Sequence, residues 1–315
     1  MVEQPPFKRS MEVRFLLGGQ TFRYYYIMAK ILDGKKLSNL SVLKLAKKIK
    51  KLTIKPKLVI IQIGDLVESN TYIKNKKAFA EKIGVTVKHK KYPNNIKESR
   101  VIPNISRCNR NPSIHGIMVQ LPGPKHFDME KVLESIDPKK DVDGLTAINT
   151  RHLFDNNEAF IPATAKGIIS LLEEYKIKLV GAKIVIVGQS SLVGRPAMLA
   201  LLNKGATVTM CHKDTRNLAR ETKNADILIT AVGHPKLITR KHVSKNQVVV
   251  DIGINIVRSN PTSLKLRGAR KIVGDVDYES VKRVVRAITP VPGGVGPMTV
   301  VSLFQNLLKA YALQT

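Results

Sequence analysis

The sequence places a lysine where a helix would otherwise present an apolar side chain. Tyr72, Lys76, Phe79, Ala80 and Ile83 recur with the period of one helix face. Partial burial lowers the pKa of a lysine, and a tyrosine one turn earlier is within hydrogen-bonding reach of it. Lys76 is therefore a candidate for proton transfer near neutral pH, while a snorkelling, purely structural lysine stays open from the pattern alone.

Two further polar residues follow apolar or acidic segments. Gln120 ends the apolar run GIMVQ, so its amide is predicted to project at the carboxyl edge of a sheet, where open α/β sheets bind ligands. Asp143 lies in the acidic turn KDVDG and could bind the amino-pyrimidine edge of a heterocycle through two hydrogen bonds. A structural role in a turn is the alternative for each residue.

The segment IVIVGQSSLVGRP has the form of a phosphate-binding turn. It runs from a predicted buried strand through Gly188 and Gly194 into a predicted helix. Glycine permits the tight turn and the close backbone approach, and free N–H groups at a helix start favour a pyrophosphate. Ser190 replaces the middle glycine, so the spacing alone is equally compatible with a structural strand-to-helix turn.

The residues after the next predicted strand bear on the choice of nucleotide. An NAD-binding domain usually has an acidic residue there to bind the ribose hydroxyls, whereas this chain has His212 and Lys213. A cation suits the 2′-phosphate of NADP, although Asp214 follows directly and a solvated surface lysine is the alternative. The sequence thus favours NADP over NAD.

The segment TPVPGGVGPMT, residues 289–299, is rich in proline and glycine. We expect it to lack regular secondary structure and to form a rigid loop whose backbone approaches a ligand.

The elements that must position these residues alternate between β-branched runs and amphipathic stretches. This pattern predicts an α/β protein with two α/β domains and mostly parallel sheets, the second domain Rossmann-like. The predicted strands are residues 58–63, 85–89, 116–120, 183–187, 207–210, 226–230 and 248–252. The predicted helices are residues 70–83, 98–108, 166–175, 195–203, 216–223, 278–286 and 298–310.

A polar, irregular segment over residues 149–165 is predicted to mark the domain boundary. We expect residues 28–148 and 290–315 to form the catalytic domain and residues 149–289 the dinucleotide-binding domain, with the substrate cleft between them. Residues 1–27 are expected to be a disordered extension, with the alternative that they lie upstream of a true start at Met28.

Composition narrows the class of protein. An apolar content of 43% in 315 residues is that of a globular chain, and no apolar run approaches the ~20 residues that cross a bilayer. Cys108 and Cys211 lie far apart without a CxxC or HExxH motif, so we expect no metal site and no disulfide framework. A soluble protein in a reducing, cytoplasmic location is the expectation.

The formal net charge of +29 invites a nucleic-acid partner, because clustered Lys and Arg bind phosphate backbones. The lysines are spread over nearly every predicted helix and loop, and no nucleic-acid-reading motif accompanies them. We therefore expect no nucleic-acid partner. A uniformly basic surface is the favoured explanation, and attraction of a polyanionic small substrate is the alternative.

Together these segments resemble the bifunctional methylenetetrahydrofolate dehydrogenase/methenyltetrahydrofolate cyclohydrolase family, especially its bacterial members. The resemblance extends from about residue 28 to the C-terminus, and its motifs are SNTYIKNK, VQLPGP, DPKKDVDG, VGQSSLVGRP and ITPVPGGVGPMTV. It implies that 5,10-methylenetetrahydrofolate gives a hydride to NADP and that water then opens the methenyl product to 10-formyltetrahydrofolate. It also implies a homodimer acting in one-carbon metabolism and purine biosynthesis.

The resemblance implies a role for each motif residue. Lys76 would be the general acid/base of cyclohydrolysis, with Tyr72 and Gln120 tuning and positioning it. Asp143 would anchor the pterin. The other residues implied to bind substrate are Val119, Leu121, Pro292, Gly293 and Gly294. The residues implied to contact the dinucleotide are Gly188, Gln189, Ser190, Gly194, Lys213 and Ile254.

Some positions depart from the family pattern. Many members have an arginine for the 2′-phosphate at Gln189, so that recognition is expected to fall on Lys213. The departures expected to loosen the loop beside the cleft are Gly123, Arg151, Ala163 and Ala165. Two alternatives remain at this point: a monofunctional dehydrogenase, and a basic binding protein built on an inactive enzyme fold.

Overall fold

The computed structural model describes residues 10–17, 20–158, 160–258 and 270–315. The strands are β1 (Ser10–Leu17), β2 (Gln20–Ile27), β3 (Lys30–Ile31), β4 (Lys57–Ile63), β5 (Thr86–Tyr92), β6 (Gly116–Gln120), β7 (Lys183–Val187), β8 (Thr207–Cys211), β9 (Ile227–Thr230), β10 (Val248–Asp251), β11 (Asn255–Arg258), β12 (Arg270–Val273) and β13 (Ala287–Ile288). The helices are α1 (Gly34–Lys50), α2 (Val67–Ile83), α3 (Glu98–Arg110), α4 (Met129–Glu134), α5 (Ala147–Phe154), α6 (Ala163–Glu174), α7 (Gly194–Leu202), α8 (Leu218–Lys223), α9 (Tyr278–Val281) and α10 (Val295–Ala312). None of the helices in these ranges is long and apolar enough to cross a membrane.

The chain forms two compact units, which we name after one residue of each. The described residues within 1–34 and 171–296 form the Gly188 unit, and those within 35–170 and 297–315 form the Lys76 unit. These bounds differ from the predicted ones in three segments: residues 28–34 and 290–296 belong to the Gly188 unit, and residues 149–170 to the Lys76 unit. The first difference has a clear cause, because Lys30 and Leu32 bond through their backbone N–H groups to the carbonyls of Arg286 and Ile288.

The Lys76 unit is built on a three-stranded parallel sheet in the order β5-β4-β6. The central strand β4 has the sequence KLVIIQI and is buried over all but its first residue. A continuous apolar run of this kind is typical of a parallel strand covered on both faces. The predicted strands 58–63 and 116–120 are confirmed.

Helix α2 carries the candidate lysine. It ends at Gly84, whose left-handed φ of 78° and N–H bonds to the carbonyls of Ala80 and Glu81 stop the helix. Its C-terminal half buries Phe79, which stacks on Phe304 of α10 with ring centroids 5.2 Å apart. The predicted apolar face is therefore buried at this end, and the polar Tyr72 and Lys76 precede Phe79 on the same helix.

The Gly188 unit is built on a six-stranded parallel sheet in the order β3-β13-β10-β9-β7-β8. The strands β7, β9 and β10 are almost wholly buried, as their β-branched sequences predict. Two units with parallel sheets confirm the predicted α/β class.

The segment predicted to be irregular, residues 149–165, is instead partly helical, because it contains the end of α5 and the start of α6. The prediction was wrong because polar side chains in this segment form hydrogen bonds inside the fold. Asn149 is buried, and its amide nitrogen donates to the carbonyl of Pro138, to Asp141 Oδ2 and to Thr146 Oγ1 at 3.0–3.1 Å. Polar side chains that bond internally are compatible with a packed helix.

Two other predictions near the C-terminus need correction. The segment 289–299 includes the first turn of α10, which begins at Val295. Pro297 lies in that turn, where a missing N–H costs no helical bond. The predicted helix 278–286 is only α9, because the chain turns after Val281 and Arg286 bonds to the carbonyl of Gln247 on the way into β13.

The N-terminal segment also differs from expectation. In place of the disordered extension, β1 and β2 form an antiparallel pair in which Leu17 is paired with Gln20. The aromatic and β-branched sequence QTFRYYYI is a strand signal that was not used in the prediction. Residues 1–9, on which part of that prediction falls, lie outside the described residues.

Candidate active site

Lys76 and Gln120 form a direct hydrogen bond. Lys76 on α2 donates from Nζ to Gln120 Oε1 at 2.8 Å, at the carboxyl end of β6. The Gln120 amide nitrogen donates in turn to the carbonyl of Leu121 at 2.8 Å. The second bond fixes the orientation of the amide, so that its oxygen faces the lysine.

Burial and charge act in opposite directions on Lys76 and Asp143. Burial lowers the pKa of the Lys76 ammonium, and the charge of Asp143 partly offsets that shift. Burial raises the pKa of the Asp143 carboxyl to about 6, with Lys76 opposing the shift and Asp141 adding to it. Lys76 is thus closer to giving up its proton at neutral pH than a solvated lysine, as a proton-transferring group requires.

The two carboxylates of the turn KDVDG have different surroundings. Asp141 is buried, and its oxygens accept bonds from the N–H of Gly144, the N–H of Thr146 and the amide of Asn149 at 2.8–3.0 Å. Asp143 is partly buried, and no donor in the described part of the chain hydrogen-bonds to its carboxylate. Asp141 therefore holds the turn, while the acceptor oxygens of Asp143 remain available to a ligand.

Glycine is required directly after Asp143. Gly144 has a φ of 74°, and a Cβ at this position would collide with the carbonyl oxygen of Phe160. The backbone carbonyl of Asp143 accepts a bond from the N–H of Ala163 at 3.2 Å. Packing of the turn against residues 160–163 fixes the place from which Asp143 projects.

Tyr72 lies one helical turn before Lys76 and is partly buried. Burial, with a contribution from Glu68, raises the pKa of its phenol. No hydrogen bond joins Tyr72 to Lys76, since the lysine is bonded to Gln120 instead. Tyr72 therefore stands beside the Lys76–Gln120 pair as a neutral hydroxyl.

A second chain of hydrogen-bonded polar residues, not predicted from the sequence, lies beside this pair. Gln62 on β4 is paired in register with Gln120 on β6, and its amide nitrogen donates to Asn70 Oδ1 on α2 at 2.8 Å. Its oxygen is 2.9 Å from His89 Nε2 on β5, and His89 Nδ1 is 3.2 Å from Lys77 Nζ. Two neighbouring glutamines thus bond α2 to the sheet, and the signal was a glutamine inside the buried run LVIIQI.

A second lysine with a shifted pKa was also missed. Burial, with the charge of Lys309, lowers the pKa of Lys166 on α6 to about 8. Lys166 Nζ donates to Asn306 Oδ1 at 2.8 Å, and the Asn306 amide donates to the carbonyls of Val142 and Ile161 at 2.9 and 3.0 Å. This network supports the backbone directly before Asp143.

In the Gly188 unit, the turn between β7 and α7 can be made only by glycine at two positions. Gly188 has a φ of 118°, and a Cβ there would collide with the carbonyl of Ala231. A Cβ on Gly194 would collide with the carbonyl of Gly188. Ser190 Oγ accepts a bond from the N–H of Val193 at 3.2 Å, which replaces the missing middle glycine with a side-chain bond inside the turn.

The same turn presents unbonded backbone donors. The N–H groups of residues 189–192 donate to no acceptor among the described residues, and all four residues are exposed. Consecutive free N–H groups before a helix form an anion-binding concavity. The turn therefore fits the pyrophosphate of a dinucleotide.

Two cations in the segment after β8, Lys213 and Arg216, are exposed. Asp214 is turned towards His212, with its carboxylate 3.7 Å from His212 Nδ1 and its N–H donating to the same atom at 3.3 Å. Lys213 between them is exposed and pairs with no acidic group that the structure describes. Because β8 is the neighbour of β7, Lys213 lies at the same sheet edge as the turn, where a 2′-phosphate would be bound.

The comparisons with known proteins agree with this geometry. Two family models match, described as the catalytic domain and the NAD(P)-binding domain of tetrahydrofolate dehydrogenase/cyclohydrolase, over residues 32–143 and 162–315. The chain belongs to the tetrahydrofolate dehydrogenase/cyclohydrolase family. This confirms the resemblance drawn from the motifs.

Individual members of the tetrahydrofolate dehydrogenase/cyclohydrolase family are similar over nearly their whole length. The bifunctional protein FolD of Nautilia profundicola is 43% identical over 283 residues, which are 89% of this chain and 96% of the relative. The crystal structure of the bifunctional FolD of Campylobacter jejuni is 40% identical, with a TM-score of 0.85 and coverage of 91% and 100%. The Trypanosoma brucei FolD structure, described as complexed with NADP and an inhibitor, is 29% identical, with a TM-score of 0.84 and coverage of 91% and 98%.

Val119 and Leu121, which the family resemblance implies bind substrate, differ in exposure. Val119 is buried in the apolar core of the Lys76 unit, because alternate residues of a strand point to opposite faces and Gln120 takes the other face. Its side chain is therefore not presented beside Gln120. Leu121 is partly exposed and accepts the Gln120 bond through its carbonyl.

The structure places Pro292, Gly293 and Gly294 in the Gly188 unit. Gly293 has a φ of 112°, and a Cβ on Gly294 would lie 2.7 Å from the carbonyl oxygen of Pro290. The preceding Thr289 bonds β10 through its hydroxyl, which accepts from the N–H of Asp251 at 2.7 Å. Glycine is thus required in this loop by the backbone itself, and the approach of that backbone to a ligand stays a prediction.

The departures from the family pattern have local explanations. A Cβ on Gly123 would collide with Met129, which fills the space beside it. Ala163 and Ala165 are buried in the first turn of α6, so they lie in a helix rather than in the looser loop that we expected. Arg151 is exposed on α5 and pairs with Asp155 one turn later. Ala163 bonds through its backbone N–H to the carbonyl of Asp143, and none of the four residues bonds to the side chain of Lys76, Gln120 or Asp143.

Proposed function

We propose that this protein oxidises 5,10-methylenetetrahydrofolate with NADP and hydrolyses the methenyl product to 10-formyltetrahydrofolate. The observation that carries the proposal is the 2.8 Å hydrogen bond between Lys76 and Gln120. The charge of Asp143 also acts on Lys76, where it partly offsets the lowering of the pKa by burial. The family, whose two matched domains are a catalytic and an NAD(P)-binding domain, supports both activities.

The hydrolysis step needs proton transfer in both directions. Water adds to the bridging carbon of the methenyl cation and loses a proton, and the bond from that carbon to N5 then breaks as N5 takes a proton. Lys76 with a lowered pKa can accept the first proton and deliver the second. Gln120 holds the ammonium through its oxygen, so that the nitrogen keeps one place during both transfers.

The oxidation step transfers a hydride and needs no general base. The methylene carbon loses a hydride and leaves a methenyl cation, and NADP, when bound, accepts that hydride. A cation that forms near Lys76 would lower the pKa of the lysine further. Oxidation would therefore prepare Lys76 for the hydrolysis that follows.

Binding of the folate rests on Asp143 in this proposal. A pterin presents adjacent ring N–H and amino donors, which match the two oxygens of a carboxylate. The Asp143 carboxylate has no hydrogen-bond donor of its own among the described residues, so a pterin would supply the bonds that burial makes costly to leave unmade.

Binding of NADP rests on the Gly188 unit. The free N–H groups of residues 189–192 would take the pyrophosphate, and Lys213 would take the 2′-phosphate. Gln189 carries no charge, and Lys213 directly after β8 is exposed at the same sheet edge, so we assign the 2′-phosphate to Lys213. The Trypanosoma brucei relative described as an NADP complex supports this choice of cofactor.

The test uses purified protein and 5,10-methylenetetrahydrofolate with NADP or NAD in parallel. We expect faster reduction of NADP, followed by loss of methenyltetrahydrofolate above its buffer rate. Absence of reduction with either nucleotide would reject the dehydrogenase activity. Reduction with methenyltetrahydrofolate decaying only at its buffer rate would establish a monofunctional dehydrogenase instead.

A homodimer is a further part of the proposal. Strand β8 lies at one edge of the six-stranded sheet, where a second copy could pair or pack. Light scattering on the purified protein should give a mass twice the 35.0 kDa of one chain. A mass of 35.0 kDa at micromolar concentration would reject the dimer.

A cytoplasmic location is supported by the two cysteines. Cys108 and Cys211 are both free and buried, as is usual in a reducing compartment. Fractionation of the source cells with a specific antibody should place the protein with cytoplasmic markers. Recovery with an organelle or with membranes would contradict this assignment.

A further inference from the structure

Two loops follow β9 and β10 at the sheet edge that carries the Gly188 turn. The loop after β9 borders the turn directly, since a Cβ on Gly188 would collide with the carbonyl of Ala231. Each loop exposes one large apolar side chain: Val232 is 36% exposed and Ile254 is 46% exposed. Exposed apolar residues beside a predicted dinucleotide turn are candidates to cover the flat faces of the cofactor.

One buried carboxylate bonds to both loops. Asp275 is fully buried, and it accepts from the N–H groups of Val232, Gly233 and His234 at 2.7, 3.2 and 2.9 Å. It also accepts from the side-chain amide of Asn255 at 2.9 Å. The residues it bonds thus include Val232 itself and the direct neighbour of Ile254.

A second carboxylate, that of Asp251, fixes the backbone at Asp275 through hydrogen bonds. Asp251, at the end of β10, accepts from the N–H groups of Asp275 and Val276 at 3.0 and 2.9 Å. It also accepts from the N–H of Gly253 at 2.9 Å and from the hydroxyl of Thr230 at 3.2 Å. The two aspartates therefore connect β9, β10 and the segment after β12.

Glycines make room for the two carboxylates. A Cβ on Gly253 would collide with the carboxyl group of Asp275, and a Cβ on Gly274 would collide with Asp251 Oδ2. An amide in place of either carboxylate would offer one acceptor oxygen and would turn its NH₂ group against backbone donors. The site is consequently specific for acid side chains, in spite of the cost of burying two charges close together.

We infer that Asp275, held by Asp251, is a positioning residue for the nicotinamide dinucleotide, and that Val232 is a further cofactor contact beside Ile254. The carboxylate acts through the two loops and does not itself touch the cofactor. This inference rests on the proposed function, because it assumes that the Gly188 turn binds NADP.

The test measures NADP affinity by titration calorimetry, without turnover, in four proteins: wild type and the variants Asp275→Asn, Val232→Ala and Asp226→Asn. Asp226 provides the matched control, because its carboxylate also accepts a backbone N–H, from Lys183 at 2.8 Å, but lies exposed at the amino ends of the strands. NADP binding by the wild type tests the proposed function, and the ratio of each variant Kd to the wild-type Kd tests the inference.

We expect Asp275→Asn to raise the Kd for NADP about tenfold or more, because backbone donors lose their acceptor and the loops shift. Val232→Ala should raise the Kd about three- to tenfold at an unchanged melting temperature, since the side chain is exposed. Asp226→Asn should leave the Kd within about twofold of wild type. Cyclohydrolase activity assayed with methenyltetrahydrofolate, which needs no hydride acceptor, should stay at the wild-type level in all variants.

Should Asp275→Asn fail to fold, Asn255→Ala takes its place, because it removes one bond to Asp275 and leaves three. A Kd for NADP raised about two- to fivefold by Asn255→Ala, with cyclohydrolase intact, supports the inference. A folded Asp275→Asn or Asn255→Ala protein with the wild-type Kd overturns the positioning role. A wild-type Kd in Val232→Ala overturns the assignment of Val232 as a contact.

Discussion

Asp143, which is partly buried, and Asp251, which is buried, both have a carboxyl pKa that burial raises to about 6. Their surroundings differ. Four donors bond to Asp251 at 2.9–3.2 Å, whereas no described donor bonds to Asp143. A shifted pKa alone therefore does not distinguish a ligand-binding carboxylate from a structural one. The two are distinguished by whether the carboxylate oxygens already accept hydrogen bonds from the protein.

Among the variants that test this difference between Asp143 and Asp251, we expect the largest effect from a substitution of Asp143. Asp143→Asn should raise the KM for the folate about ten- to hundredfold in both activities, because it weakens the bidentate pairing with the pterin. The free energy of unfolding should change little, because the carboxylate holds no backbone donor. Steady-state kinetics and urea unfolding measure the two quantities.

A matched control for that variant is Asp128→Asn. Asp128 caps α4 by accepting the N–H of Lys131 at 3.0 Å, and asparagine caps helices equally well. Both the folate KM and the stability should stay at wild-type values. A wild-type folate KM in Asp143→Asn itself would show that the unused acceptor has no ligand.

Asp251 should show the reverse behaviour. Asp251→Asn should lower the free energy of unfolding by about 1–3 kcal/mol at pH 7, because the amide leaves buried backbone donors unpaired. The folate KM should not change. A variant that keeps wild-type stability would contradict the view that the four bonds of Asp251 are structural.

A partly buried lysine, Lys166, can be tested in the same way through the pH dependence of the free energy of unfolding. Its pKa is lowered from 10.5 to about 8, so the folded protein binds fewer protons than the unfolded chain between these values. Wild-type stability should therefore rise relative to Lys166→Met by about 1–3 kcal/mol as the pH increases from 8 to 10.5. Chemical unfolding at pH 7.5, 9 and 10.5 checks the sign, and an opposite slope would reject a buried ammonium.

The smallest effect is expected at Gln62, which bonds to α2 without facing the reaction. Gln62→Leu should lower the kcat of cyclohydrolysis about two- to fivefold, because Asn70 and His89 lose a partner and the start of α2 shifts. The KM for NADP should not move. A kcat equal to wild type would show that Gln120 alone positions Lys76.

Much of the fold followed from local pattern. The strands 116–120 and 183–187 agree with the structure residue for residue, because buried β-branched runs have few alternatives. Lys76 was found because it interrupts an apolar face, and Gln120 because it ends a strand. Each signal lies within one element, where the period of side chains is set by geometry.

The remainder depended on contacts between distant segments. Lys166 bonds to Asn306, 140 residues away, and Asp275 bonds to loops 20 to 43 residues earlier. Neither residue interrupts a local pattern, so nothing in the adjacent sequence marks it. Polar composition misled the prediction over residues 149–165 because Asn149 finds its partners inside the fold.

The most direct test of the account is the cyclohydrolase rate of Lys76→Met beside Lys74→Met, an exposed lysine two residues away on the same helix. We predict that Lys76→Met lowers the enzymatic rate by about 10²–10⁴-fold while the Kd for NADP and the melting temperature hold, and that Lys74→Met keeps the wild-type rate. A folded Lys76→Met protein that hydrolyses methenyltetrahydrofolate at the wild-type rate would contradict the assignment of Lys76 as the proton-transferring group.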